Sequence, residues 1–99
     1  MRTLTDLALN KMANYYLDSL SHVLYNLDGE EKRLDFFSKK VVGNTVQAYV
    51  FFDENYKGKI DNIRVIDKDG DIVAVDNKVY ERTSEKALYV AFKHEFTEV

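Results

Sequence analysis

Residues 4–27 carry apolar side chains at a period near 3.6, and from Lys32 onward the period falls to 2. The first stretch contains no Gly or Pro and reads as one long amphipathic helix. Helical spacing gathers Leu9, Met12, Ala13, Tyr16, Leu17, Leu20, Val23, Leu24 and Leu27 into an arc about 140° wide, the face that a core would take. Thr3 followed by Asp6 is the expected capping box, and Asp28-Gly29 the expected helix end, because Gly adopts the left-handed conformation of a C-terminal cap.

Beyond Lys32 the chain is rich in Val, Ile, Phe and Tyr, and alternation predicts strands near 33–42, 45–53, 59–67, 71–75, 78–82 and 86–97. The stretch 71–82 fits two strands or one bulged strand. Turn chemistry joins them: Gly43-Asn44, the loop 53–58, Asp67-Lys68-Asp69-Gly70 and Asp76-Asn77. Connections this short permit only antiparallel neighbours. The expected fold is α+β: an N-terminal amphipathic helix packed on one face of a curved antiparallel β-meander of five or six strands, in a single domain over residues 1–99. Val46, Ala48, Val50 and Phe52, with Leu88, Val90, Phe92 and Phe96, form the set facing the helix. The opposite face carries Thr45, Gln47, Tyr49, Phe51, Ala87, Tyr89, Ala91, Lys93 and Glu95, more aromatic than solvation requires, which points to a covering partner.

Composition narrows the function classes. Ninety-nine residues suffice for one core, and the absence of Cys removes disulfides, thiol nucleophiles and Cys-based metal centres. The longest apolar run is Ala87-Leu88-Tyr89-Val90-Ala91-Phe92, with Ala48-Tyr49-Val50-Phe51-Phe52 next, both far below the roughly 18 residues of a membrane span, and the N-terminus lacks the build of a secretory signal. The expectation is a soluble cytoplasmic protein without membrane contact. Net charge is −3, and residues 60–76 account for all of it, with Asp61, Asp67, Asp69, Asp71 and Asp76 against Arg64 and Lys68. A nucleic-acid binder shows a basic face; here only Lys32-Arg33 and Lys39-Lys40 pair up, so direct nucleic-acid binding is not expected.

Candidate chemistry is sparse. Asp67-Lys68-Asp69-Gly70-Asp71 has the acidic spacing of a calcium loop, but the Gly position is Ile72 and the bidentate position is Lys78, so a three-residue hairpin turn is expected instead. His94-Glu95 lacks the second His of a zinc-protease helix, that position being Glu98, and strand alternation makes His94 a half-buried, hydrogen-bonded histidine. Neither metal nor cofactor is expected. His22 lies one helical turn after Asp18, with Ser19 toward the edge of the arc and Ser21 pointing away, an arrangement without a nucleophile–base pair.

Recognition chemistry is better represented. Leu4, Leu7, Tyr15 and Tyr25 lie opposite the core arc of the long helix, interleaved with Lys11, Asn14, Asp18 and His22. With the acidic turn Asp67, Asp69 and Asp71 and the outer-sheet residues Tyr49, Phe51 and Tyr89, they predict a non-catalytic protein-binding module whose partner has a basic surface. One concrete form is a small inhibitor, of the kind phages and mobile elements use against host nucleic-acid enzymes, offering its Asp residues to a basic groove. Two alternatives remain open: a small-ligand or enzymatic pocket between helix and sheet lined by Tyr16, His94 and Asp76, and a homodimeric structural protein.

Overall fold

The computed structural model describes residues 3–53, 57–82 and 87–97. Among these residues one helix, α1 (Asp6–Ser19), precedes eight strands: β1 (Leu20–Leu27), β2 (Glu30–Leu34), β3 (Ser38–Val42), β4 (Thr45–Phe52), β5 (Gly58–Asp67), β6 (Ile72–Asp76), β7 (Tyr80–Arg82) and β8 (Leu88–Glu95). The α+β class and antiparallel pairing are as read from the sequence. The strands divide over two sheets rather than one meander: β2-β1-β5-β6, with β7 also on β5, and β3-β4-β8. The stretch 71–82 resolves as two strands, and 33–42 is interrupted at Asp35-Phe36-Phe37 between β2 and β3. Lys86, expected to open the last strand, and residues 54–56 of the expected 53–58 loop lie outside the described residues.

The long helix is the main correction: the helix ends at Ser19, and residues 20–27 are strand. Thr5, not Thr3, caps its start, its hydroxyl accepting the Ala8 N–H at 3.1 Å. At its end the Ser19 hydroxyl donates to the Tyr16 carbonyl at 2.6 Å, while Leu20 is already extended. The segment that follows is poor in strong helix formers: Ser21, His22, Val23, Tyr25 and Asn26. It is followed by Asp28-Gly29, which in the structure is a two-residue hairpin loop, not a helix cap. Asp28 at φ 51° and Gly29 at φ 85° give both central positions the positive φ of a type I′ turn, and Leu27 pairs with Glu30 across it.

The 3.6 period of residues 20–27 has a local cause. The β1–β5 register shifts between Leu20 and His22, so Leu20 and Val23 share the inner face although three residues apart. Beyond the shift the alternation is regular, with Val23 and Tyr25 buried and Leu27 packed against the core. A bulged strand thus imitates a helical stripe. Within α1, Leu9 and Ala13 are buried as expected, whereas Met12, also placed in the arc, is exposed.

The core lies between the two sheets. Val23, Tyr25, Ile60, Ile63 and Val65 of one meet Val46, Ala48, Val50, Phe52, Val90 and Phe92 of the other, with Ala13 contributed by α1. Arg82, itself buried, donates from Nη1 to the Phe52 carbonyl at 2.9 Å and so ties β7 to the end of β4.

Candidate binding surface

The β4–β8 register sets Phe51 opposite Tyr89 and Tyr49 opposite Ala91 on the outer face of the three-stranded sheet. Strand alternation puts these residues outward because Val46, Ala48, Val50 and Phe52 take the inner positions. The Phe51 and Tyr89 rings lie 4.7 Å apart, and Phe37 closes on both, at 5.5 Å from Phe51 and 5.8 Å from Tyr89. Phe37 and Tyr89 are 62% and 57% exposed, so the cluster forms an aromatic patch in solvent. The sequence reading missed Phe37. Its N–H donates to the Tyr49 carbonyl at 2.9 Å, so Phe37 and Ser38 both stand opposite Tyr49, and this irregularity leaves the Phe37 ring beside Phe51. The signal lay in two adjacent Phe residues within one expected strand, where alternation sends one inward and the other out.

Below the rings the register lines up Lys40, Gln47 and Lys93, while Gln47 accepts the Tyr49 hydroxyl at 3.2 Å. Among the described residues no carboxylate pairs with Lys40 or Lys93. The face therefore combines an apolar aromatic end with an unneutralised cationic band.

No protein-family model, curated protein or solved structure matches the chain.

The expected helix surface does not assemble. Tyr25 is on β1, only 2% exposed, and packs edge-on against Phe52 at 5.0 Å. Its assignment to an exposed interface is corrected for the same reason as the helix itself. Leu4, Leu7 and Tyr15 are exposed on or beside α1, but Leu7 and Tyr15 are separated by about 12 Å of helix axis. Asp18 and His22 fall on different elements, and the His22 Nδ1 lies 2.9 Å from the Ser21 hydroxyl, the serine expected to point away.

Asp67, Asp69 and Asp71 converge, with carboxylate oxygens within 4.8 Å of one another. Asp67 is largely consumed by the turn itself. Its Oδ1 accepts the Asp69 N–H at 3.0 Å and the Asp71 N–H at 2.9 Å, while its own N–H donates to the Asp71 carbonyl at 3.0 Å. That is the three-residue hairpin turn expected from the sequence. Lys68 N–H donates to the Ser19 carbonyl at 2.8 Å, pinning the turn to the end of α1 and leaving Asp69 and Asp71 exposed.

The suspected polar lining is partly brought together. Asp76 and His94 share a cleft of about 550 Å³ walled by Val75, Asp76, Asn77 and Lys78 on one side and Ala91, Phe92, Lys93 and His94 on the other. Tyr16 meets the His94 ring edge-on at 5.6 Å, and burial pushes its phenol upward in pKa. His94 is half-buried as expected, but its Nε2 has no hydrogen-bond partner among the described residues. Both Asp76 oxygens are engaged: Oδ1 accepts the Lys78 N–H at 2.9 Å and Oδ2 the Tyr80 hydroxyl at 2.7 Å. Burial, that hydrogen bond and the carboxylate charge push the Tyr80 phenol up to about 12. Glu98, weighed as a zinc-ligand position, lies outside the described residues. Among the described residues no helix is long and apolar enough to cross a membrane.

Proposed function

We propose that this protein is a non-catalytic, cytoplasmic protein-binding module that contacts its partner through the outer face of the β3-β4-β8 sheet. The observation that carries the reading is the exposed ring cluster of Phe37, Phe51 and Tyr89. Aromatic rings held rigidly by a sheet bury large area at small rotamer cost, which is the chemistry of interface hot spots. The neighbouring Lys40 and Lys93 favour acidic groups on the partner where it covers this face.

The test is a photo-crosslinking amino acid placed at position 89 in one variant and at position 15 in another, in the native host. Crosslinks to one protein from position 89, lost when Phe37→Ser is added and absent from position 15, support the reading. Crosslinks from position 15 alone, or from 89 unaffected by Phe37→Ser, overturn it.

A second reading draws on the gathered carboxylates of Asp67, Asp69 and Asp71. They concentrate negative charge at one turn, where Asp69 and Asp71 are exposed, suited to a basic groove such as that of a nucleic-acid-handling protein, and an inhibitor would act in this way.

A further inference from the structure

Unpaired sheet edges are templates for another strand, and proteins blunt them with charge, shortness or bulges. Three of the edges here are blunted. β2 has five residues, of which Glu30, Glu31, Lys32 and Arg33 are charged; β3 has five, with Lys39-Lys40; β6 has five and a register shift against β5. β8 differs. It runs for eight residues, Leu-Tyr-Val-Ala-Phe-Lys-His-Glu, in unbroken register with β4 from Phe52↔Leu88 to Thr45↔Glu95. Its other side pairs with no strand among the described residues.

The 550 Å³ cleft lies along that open side. Its β8 wall consists of four consecutive residues, Ala91 to His94, which belong alternately to the outer and inner faces, so the strand presents its edge to the cleft. Four residues of wall give the cleft a length of about 14 Å. Cationic side chains stand on both walls, Lys78 and Lys93, neither paired with a carboxylate among the described residues. Among the described residues of the lining the one carboxylate, Asp76, already accepts from Lys78 N–H and from the Tyr80 hydroxyl.

We propose that an extended acidic segment of a partner protein enters this cleft and adds as a strand to the open edge of β8. Backbone hydrogen bonds to β8 supply affinity, and carboxylates set against Lys78 and Lys93 supply selection. Successive side chains of the added strand alternate between the side of Tyr89 and Lys93 and the side of Phe92 and His94, so strand addition would also enlarge the aromatic outer face. The wall formed by residues 75–78 stands beside the edge and admits a single extended chain more readily than the folded sheet of a second copy. The proposal rests on the protein-binding reading above.

The test uses the full chain and three synthetic octapeptides: alternating Val and Glu, the same peptide N-methylated at alternate backbone amides, and alternating Val and Lys. Backbone amide exchange and chemical-shift titration are the readouts. The expected result is slowed exchange in β8 with the Val-Glu peptide, and binding weaker by about tenfold or more for both other peptides. Lys78→Glu with Lys93→Glu, at two exposed positions, should reverse the preference between the acidic and basic peptides. Equal binding of the N-methylated peptide, or Val-Glu binding that leaves β8 exchange unchanged, overturns strand addition. Slowed β8 exchange in the protein alone as its concentration rises would make a second copy the occupant and also overturn it. If the peptide fails on β8 while crosslinks from position 89 persist, strand addition falls and the binding face stands; the opposite pair of results removes the face and keeps the edge.

Discussion

Asp28 and Lys59 hold each other twice: the Asp28 N–H donates to the Lys59 carbonyl at 2.9 Å, and the Lys59 N–H donates to the Asp28 Oδ1 at 2.9 Å. The hairpin turn that begins β2 is thereby fastened to the start of β5. Gly58 is required beside it, since a Cβ there would overlap the Asp28 carboxylate and φ is +123°. Gly58→Ala should destabilise the fold by about 1–3 kcal/mol in denaturant unfolding. In an Asp28→Gly background, where the carboxylate is gone and positive φ remains tolerated, the same substitution should cost less. Equal costs in the two backgrounds would remove the carboxylate from the explanation.

Tyr25→Ala separates the strand from the helix that the sequence suggested. On a solvent-facing helix position the change would cost little; against Phe52, at 2% exposure, it should cost about 3–5 kcal/mol by the same measurement.

The inner faces of β4 and β8 were legible because strict alternation leaves one assignment: Val46, Ala48, Val50, Phe52, Val90 and Phe92 are all buried. Leu20 and Val23 were rightly placed in the core for the wrong reason, since helical spacing and a bulged strand bury the same pair. The deciding signal between them was Asp-Gly, which marks a hairpin when strands flank it and a helix end when a helix precedes it. Tyr49, Phe51 and Tyr89 came together because alternation fixes a face, while which of the adjacent Phe36 and Phe37 turns outward depends on the interruption between β2 and β3 at 35–37. The open edge of β8 depends on strand order, which long-range pairing of β4 with β8 decides and no local pattern encodes.

The three aspartates of the turn should separate by role. Asp67→Ala removes the acceptor of two backbone N–H groups and should cost about 1–2 kcal/mol of stability, whereas Asp67→Asn keeps an acceptor oxygen and should cost less. Asp69→Asn with Asp71→Asn should leave unfolding unchanged. If the turn meets a basic partner, that pair should slow association and flatten its salt dependence, with dissociation little altered. An Asp67→Ala variant as stable as the parent would remove the turn role argued for its carboxylate.

Tyr80 gives the fold a dependence on high pH. Its folded-state pKa is about 12, above the ordinary tyrosine value of 10.0, because burial, the Asp76 hydrogen bond and the Asp76 charge all favour the neutral phenol. A raised pKa means that the contribution is fully present below pH 10 and is lost as pH climbs through about 12. Stability of the parent protein should therefore fall across that window more steeply than that of Tyr80→Phe, which retains the ring and has no proton to lose. Phenolate absorbance gives an independent reading, in which one late-titrating tyrosine of the parent should be missing from Tyr80→Phe and should titrate earlier in Asp76→Asn. Tyr16 is also raised, by burial alone, and is common to all three proteins, so the difference between them isolates Tyr80. Superimposable titrations of parent and Asp76→Asn would show that the carboxylate does not hold the phenol neutral, and the assigned cause would be wrong.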